Sequence, residues 1–500
     1  MGIGFMNEEK IIENNLLVKE TFTNAICYGQ TGSGKTTGFI LPNIQNRMKL
    51  NHGLLIYDFK GNLHEQVKHI AKKQQKLVTV YEIGKPWGKN IDILKHSSPK
   101  SLESMFATIA GTRENDYWTN SAYNLFSNIY FMLKSLIKVI DIINSIDKTI
   151  LHDDFEVNAN KYNPTIENIF NFVKSSTDIT KFFTIMNNLI AYIDIYFDEI
   201  LFKYLKSIDK TILNSLLLHK NELHLKCDSL SEYHKMGNDG SEVGGKFGVL
   251  YVLNSTLQSI ANKKCFSNDE FDIVEKLQAG NTVIINVEDF SEQMLSFFNF
   301  SIYNRLIRQT SISKNRNPIT IFIDEAQKVL NATSMPDVDV CRENNFEFIL
   351  STQDKSLLEN KVGTLNTYLL LRNVTSQYSF ITVEPQDTKI NTVQLKKFEC
   401  VDMIKNIKVK TKPIFINKDD LFMAEYLYQT ITTAYKFINM KIHKPHIVKY
   451  SSLLEVDDII LVCFRDGTSK EVPLTHGTVE IDEYIKKNDT NKIEKLVNKS

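Results

Sequence analysis

Apolar residues along this chain follow two rhythms. Some fall in short unbroken runs: Asn24-Ala25-Ile26-Cys27-Tyr28, Gly53-Leu54-Leu55-Ile56-Tyr57-Asp58, Leu77-Val78-Thr79-Val80-Tyr81, Thr282–Val287, Ile319–Ile323 and Glu347–Gln353. Runs of this length, closed by Gly, Asp or Asn, read as strands buried on both faces of a parallel sheet. Between them, apolar positions return every three or four residues, as on one face of a helix. This predicts helices from Gly34 toward Met48, Leu63 to Lys73, Phe247–Asn262, Met294–Gln309 and Val338–Asn344, with Thr367–Arg372 completing the core. Strands alternating with helices predict an α/β fold with a mostly parallel central sheet.

From about residue 100 the strand rhythm stops. Ser101–Thr112, Tyr117–Asp141, 165–190 and 190–232 all carry helical spacing, and Asn163-Pro164 has the chemistry of a helix start. Residues 100–235 are therefore predicted to be an all-α domain inserted into the sheet domain, 1–99 with 236–400. Gly237-Asn238-Asp239-Gly240 with Gly244, Gly245, Lys246 and Gly248 form the densest group of helix breakers and mark the boundary. Residues 401–500 read as a small α+β extension of unassigned role. Within it, Ile459–Arg465 with Asp466-Gly467 suggests a hairpin, and the Lys-rich end from Lys486 reads as a frayed tail, with phosphate binding the other reading.

Composition narrows the function only a little. The chain has 500 residues and a formal net charge of zero, so a nucleic-acid partner would have to meet a local patch or a lining built by several subunits. No stretch approaches the roughly 18 uninterrupted apolar residues of a transmembrane helix, and no signal peptide is legible. Phe131–Ile143 is the most apolar run, but Lys134, Lys138 and Asp141 interrupt it at amphipathic spacing. Met6 stands where myristoylation of Gly2 would want Ser or Thr. The six cysteines are scattered without a C-x-x-C pair and read as reduced buried thiols. His64 and His69 stand five apart, the wrong spacing for a metal pair on a helix.

The chemistry concentrates in Gly29-Gln30-Thr31-Gly32-Ser33-Gly34-Lys35-Thr36, which fits the P-loop pattern G-x-x-x-x-G-K-[ST] between a strand and a helix. Its glycines let successive N–H groups turn inward onto phosphate oxygens. Lys35 would reach the β- and γ-phosphates of ATP, Thr36 would hold Mg²⁺, and Thr37 continues the site into the helix. Ile321-Phe322-Ile323-Asp324-Glu325 delivers two carboxylates at a strand end, where open α/β sheets bind ligands. Asp324 suits Mg²⁺ and Glu325 suits the base that orients the attacking water. Gln353 ends a further strand and either touches the γ-phosphate or attacking water, or bonds a loop backbone. Arg342 and Arg372 are candidates for an arginine finger, or are surface salt-bridging residues.

In this order the motifs resemble the TraG/TraD-like coupling proteins of type IV secretion, P-loop ATPases of conjugation related to HerA and FtsK motors. The resemblance rests on the P-loop; on Asp58-Phe59-Lys60-Gly61-Asn62-Leu63, similar to the family's D-x-K-G-E-L; on Asp116-Tyr117-Trp118 with Ala122 and Leu125; and on Asp324-Glu325 followed by Arg342 and Ser351-Thr352-Gln353. It implies a RecA-like P-loop NTPase core, and it adds Asp58 and Lys60 to the nucleotide site. It implies a homo-oligomer, a hexamer, that takes up single-stranded DNA or a relaxase–DNA complex and works with membrane-bound secretion-channel components. Family members commonly begin with two transmembrane helices, whereas here the P-loop lies near the start, so a cytoplasmic protein attached to the inner membrane through partners is expected. Asn62 replaces the family's acidic residue. Two other functions fit the same motifs: a HerA/FtsK-like DNA motor independent of secretion, and a nucleotide-gated adaptor that recruits a protein without pumping DNA.

Overall fold

The computed structural model describes residues 12–74, 80–85, 87–95, 102–103, 106, 117–146, 162–204, 209–234, 243–266, 271–307, 316–332, 335, 338, 341–380, 395–421, 459–464, 469–473 and 493–498. Among the described residues ten strands form the main sheet: β1 (Ile12–Asn14), β2 (Asn24–Tyr28), β3 (Gly53–Asp58), β4 (Val80–Ile83), β5 (Thr282–Asn286), β6 (Ile319–Ile323), β7 (Phe346–Thr352), β8 (Val374–Ser379), β9 (Glu399–Asp402) and β10 (Ile407–Thr411). They lie in the order β1-β10-β9-β8-β2-β7-β6-β3-β5-β4. From β8 to β5 every pairing is parallel. β9 joins β8 and β10 joins β9 in antiparallel pairing. Every residue of β2, β3, β5, β6 and β7 is buried, which is why these strands are continuous apolar runs without alternation. The fold is the α/β class expected.

The helices are α1 (Leu41–Lys49), α2 (Leu63–Lys73), α3 (Tyr117–Ile146), α4 (Ile166–Val173), α5 (Ser176–Tyr204), α6 (Lys210–His234), α7 (Val243–Ala261), α8 (Ile273–Gln278), α9 (Glu292–Ile307), α10 (Ala326–Val329), α11 (Lys355–Val362) and α12 (Thr364–Arg372). A wide π-type turn, Thr36–Ile40, precedes α1. Pro42 explains it: proline has no N–H to give to Gly38, so the α-helical ladder cannot run unbroken from the P-loop. Helix α3 packs against α6 and α7, and α4 against α5 and α7. Along α3 the buried residues Ala122, Leu125, Phe126, Ile129, Met132, Leu133, Leu136, Val139 and Ile143 keep three-and-four spacing, with Lys138 and Asp141 exposed. These helices and the sheet share a continuous apolar core.

The chain divides into two compact units, 1–61 with 81–413, and 62–80 with 414–500. In the second, β11 (Ile459–Phe464) pairs antiparallel with β12 (Ser469–Pro473) and β13 (Ile493–Asn498). The expected hairpin is therefore present, with its turn residues Asp466-Gly467 outside the described residues. The expected frayed tail is corrected: Ile493-Glu494-Lys495-Leu496-Val497-Asn498 is a strand paired with the strongly apolar β11.

Other differences have local causes. The strand expected over Leu77–Tyr81 is described as β4 from Val80 on, with Leu77–Thr79 outside the described residues. The helix expected over Val338–Asn344 does not cover its described end, where Cys341–Asn345 is a turn closed by Phe346 N onto Cys341 O at 3.1 Å, with Asn345 left-handed at φ 55°; 339–340 lie outside the described residues. Helix α4 is capped by Thr165 rather than Asn163, its hydroxyl accepting from Asn168 N at 3.2 Å. Thr367–Arg372 is the end of α12. The Ser101–Thr112 stretch and Gly237–Gly240 lie largely or wholly outside the described residues. Gly244, Gly245 and Gly248 are not breakers but part of α7. Gly248 admits the Trp118 ring so closely that a Cβ there would stand 2.7 Å from it.

At the edge where the parallel strands begin, Arg47 of α1 makes a fully buried ion pair with Glu347 of β7, Nε to Oε1 at 2.6 Å. Thr320 of β6 donates to the same carboxylate at 2.9 Å, and Arg47 also donates to Lys19 O at 3.2 Å. Asn43 accepts from Val18 N and donates to Leu16 O, each at 2.8 Å. The lead-in is thus sewn to α1.

The Gly248 contact sets a sign. In an open helix Gly→Ala gains about 0.5–1 kcal/mol, but a clash against packed atoms costs about 1–3. Gly248→Ala should lower the melting temperature, and in a Trp118→Ala background the same change should raise it. Equal effects in both backgrounds would contradict the packing.

Candidate functional site

Parallel pairing brings the chemistry together. Because β2, β7, β6 and β3 point the same way, their C-terminal ends share one edge. Register puts Cys27 opposite Ser351, Leu350 opposite Ile323, and Ile323 opposite Tyr57. The residues that follow, Ser351, Asp324 and Asp58, therefore stand in one row beside the loop Gly29–Thr36. Two strands, β7 and β6, separate β2 from β3, so the chain leaves and re-enters the sheet around this crevice.

The loop is built on left-handed glycines, Gly32 at φ 84° and Gly34 at φ 107°. Gly29 N donates to Thr352 O at 3.1 Å and Gln353 O at 3.0 Å, clamping the loop's start to the end of β7. Lys35 is buried, and its ammonium donates to Gly29 O and, at 3.2 Å, to Gln30 O. Gln30 and Thr31 are exposed, while Thr36 and Thr37 are half-buried, Thr37 Oγ1 reaching Gly34 O at 3.5 Å. Ser33 Oγ is buried with no hydrogen-bond partner among the described residues.

Asp324 ties the edge together. Thr36 Oγ1 donates to its Oδ2 at 2.7 Å, and Ser351 Oγ donates to its Oδ1. The next residue, Glu325, is left-handed at φ 66° and ψ 56°, a costly conformation for a residue with a Cβ. Its N–H reaches Ser351 Oγ at 3.4 Å. Its carboxylate accepts from Lys60 Nζ at 2.5 Å, Gln327 Nε2 at 2.5 Å and Gln353 Nε2 at 3.3 Å. Burial pushes this carboxyl up, but the Lys60 and Gln327 hydrogen bonds and the charges of Lys60 and Lys35 hold it below its ordinary value. Burial depresses Lys60 in turn, and Glu325, Asp324 and Asp58 more than restore it, leaving it raised. Asp58 Oδ1 accepts from Gly61 N at 2.9 Å and so shapes the turn that presents Lys60.

Most of the residues expected from sequence therefore converge: Gly29 to Thr37, Asp58, Lys60, Asp324, Glu325 and Gln353. Gln353 follows neither expected course alone, since its amide bonds the Glu325 carboxylate. Arg342 and Arg372 do not join the site. Arg342 is exposed in the turn before β7, and Arg372 ends α12 just before β8. Both stand at the edge where strands begin, opposite the P-loop of their own chain.

Three participants escape sequence reasoning. Ser351 stands out only as part of a motif, and Gln327 is a common residue in a short helix. Phe398, just before β9, is left-handed at φ 68°; its N–H donates to Ser33 O at 3.3 Å, and its ring lies against Gly34, where a Cβ would meet it at 2.6 Å. Thr411 of β10 crowds Gly38 in the same way, at 2.7 Å. The β9–β10 hairpin thus backs the P-loop from the far side.

Residues 4–188 match the family model described as type IV secretory system conjugative DNA transfer. The match bears out the resemblance carried by the motifs, and it contains the P-loop, Asp58, Lys60 and Tyr117-Trp118. The structure is similar to the plasmid coupling protein TrwB in complex with ADP and Mg²⁺, at 10% identity and TM-score 0.49 over 80% of this chain and 88% of that one. For TrwB with the non-hydrolysable ATP analogue ADPNP the values are 11%, 0.47, 80% and 86%. For VirB4 of Thermoanaerobacter pseudethanolicus they are 13%, 0.41, 84% and 100%. No protein of curated function matches the sequence.

The backing of the loop makes a prediction about local opening. Phe398 is half-buried, and half the burial of a phenyl ring is worth about 1–1.5 kcal/mol, or about tenfold in a local equilibrium. Phe398→Ala should speed amide exchange at Gly32–Lys35 by about that factor, with exchange in β3 and β5 unchanged. Unchanged exchange in the loop would contradict it.

Proposed function

We propose that this chain is a coupling ATPase of a type IV secretion (conjugation) system, which hydrolyses ATP to recruit and pump DNA or nucleoprotein. The single observation that carries the hydrolytic reading is the row at the sheet edge, where the P-loop hydroxyl of Thr36 bonds Asp324 and a second carboxylate, Glu325, stands one residue on. The family match over the first part of the chain supports the choice of substrate class. Among the described residues no helix is long and apolar enough to cross a membrane. Attachment to the inner membrane through channel components, and a cytoplasmic site of action, belong to the proposal.

The residues present fit the nucleotide and its metal. Among the described residues Ser33 Oγ is an unpartnered hydroxyl in the loop, and the left-handed glycines would let N–H groups turn toward phosphate. Thr36 and Asp324 already approach each other as two hard oxygen ligands would around one ion, and would hold Mg²⁺. That ion supplies charge neutralisation at the β- and γ-phosphates when bound. Lys35, now satisfied by carbonyls of its own loop, would exchange them for phosphate oxygens. Glu325 would orient the attacking water and take its proton.

In this reading 1–99 with 236–400 is the motor, 100–235 an inserted helical domain, and 401–500 an extension. Six chains would form a ring around DNA, single-stranded or held by a relaxase. Because Arg342 and Arg372 face away from their own P-loop, either would serve as a finger only for a neighbour.

Two outcomes test this. Lys35→Ala should weaken nucleotide binding, while Glu325→Gln should keep binding and lose about 10²–10⁴ in turnover. Wild-type turnover in Glu325→Gln would remove the base assignment. Turnover should also rise with protein concentration and with DNA. Alanine at the true finger should cost about 10³-fold or more in rate with affinity intact, and mixing it with Glu325→Gln protein should restore part of the activity. Constant turnover on dilution, with both arginine variants like wild type, would favour a nucleotide-gated adaptor. A DNA-stimulated ATPase indifferent to channel components would favour a secretion-independent motor.

A further inference from the structure

Glu325 accepts on both carboxylate oxygens in the resting site. Lys60 occupies Oε1, and Gln327 and Gln353 occupy Oε2. A carboxylate offers about four lone-pair sites, and three are taken, one of them by a charge-assisted bond that competes directly with a water for Oε1. A base must be within hydrogen-bond reach of the proton it takes, so release of that bond frees Oε1 for the water.

The three donors are not equal. Gln327 and Gln353 are neutral amides fixed by the segments that follow β6 and β7. Lys60 is the only charged one, and its side chain is 39% exposed against 3% for Glu325. It extends from the Asp58–Gly61 turn at the end of β3, across the crevice from the P-loop. Asp58, Asp324 and Glu325 all stabilise its charge. A triphosphate seated on the P-loop adds at its γ end a more concentrated negative charge than any one carboxylate, and an ammonium on a flexible stem follows the stronger acceptor.

We propose that Lys60 is a latch on the general base. It holds Glu325 while the site lacks a triphosphate and transfers to the γ-phosphate when one enters, so the base is released only in the presence of its substrate. Gln327 and Gln353 then keep the carboxylate in position. The diphosphate, lacking the γ group, leaves the latch closed. This inference rests on the hydrolytic reading above and adds to it a coupling between occupancy and base release, carried by one side chain with two competing partners.

The test is a double-substitution cycle in binding, on the full chain with Mg²⁺. Affinity is measured for ADP and for a non-hydrolysable ATP analogue in wild type, Glu325→Gln, Lys60→Met and the double variant. In wild type the analogue must pull Lys60 off Glu325. Neutralising Glu325 should therefore tighten the analogue by about tenfold and ADP by less than about twofold. In the Lys60→Met background the tightening of the analogue should vanish. Lys60→Gln, which keeps an amide donor for Glu325, serves the same cycle should Lys60→Met fail to fold. Three results overturn the latch: no tightening by Glu325→Gln, equal tightening of analogue and ADP, or equal tightening with and without Lys60. A wild type that binds and hydrolyses ATP yet gives one of these loses only the latch. A wild type that binds neither nucleotide loses the hydrolytic reading and the latch together.

Discussion

A buried carboxylate must find donors, and Asp324 finds them on two different elements. Thr36 reaches it from the start of the P-loop helix and Ser351 from the end of β7. Neither contact is local in sequence, so each holds only if β2, β7 and β6 lie side by side in one register. The central sheet order and the candidate site are therefore one constraint. Losing the register of β7 by a single residue would turn Ser351 to the other face and leave both Asp324 and the N–H of Glu325 without their hydroxyl. The strain at Glu325 belongs to the same arrangement. Its left-handed backbone turns the chain sharply after β6, and the carboxylate reaches Lys60, Gln327 and Gln353 rather than following Asp324 toward Thr36.

Short-range pattern is what a sequence makes legible. The P-loop is eight consecutive residues, and the buried strands are unbroken apolar runs, so both can be read directly from residue order. Asp58, Lys60, Asp324 and Glu325 are visible because each closes such a run. Contacts set by tertiary geometry are not. Phe398 carries no motif, and it matters because its ring fills the space left by a missing side chain 364 positions earlier, at Gly34. β8 and β10 are weakly apolar, Val-Thr-Ser-Gln-Tyr-Ser and Ile-Lys-Val-Lys-Thr, and both are only partly buried. Arg342 and Arg372 stand out by residue type and chain order alone, which say nothing about the end of a strand on which a turn will fall.

The glycines show how the same residue misleads in one place and informs in another. Gly32 and Gly34 are where positive φ is needed, as the P-loop pattern implies. Gly244, Gly245 and Gly248 look alike on paper but belong to a helix, where Gly248 admits Trp118. That contact gives a structural reason for the Tyr117-Trp118 start of α3, one of the stretches that carry the family resemblance.

The knot of Arg47, Glu347 and Thr320 at the far edge has a mechanical consequence. The segment from Thr36 to Arg47 is pinned at its beginning, through Asp324, to β6, and at its end, through Glu347, to β7. A rod fastened at both ends to the same plate cannot tilt or slide against it. Under a load applied at the P-loop, its helix and the middle of the sheet move as one stiff block, and any hinge lies outside it. The Asp58–Gly61 turn and the hairpin that carries Phe398 border that block on its two sides. The turn reaches the nucleotide end through Lys60 and the hairpin through Phe398 and Thr411, and they are where compliance remains.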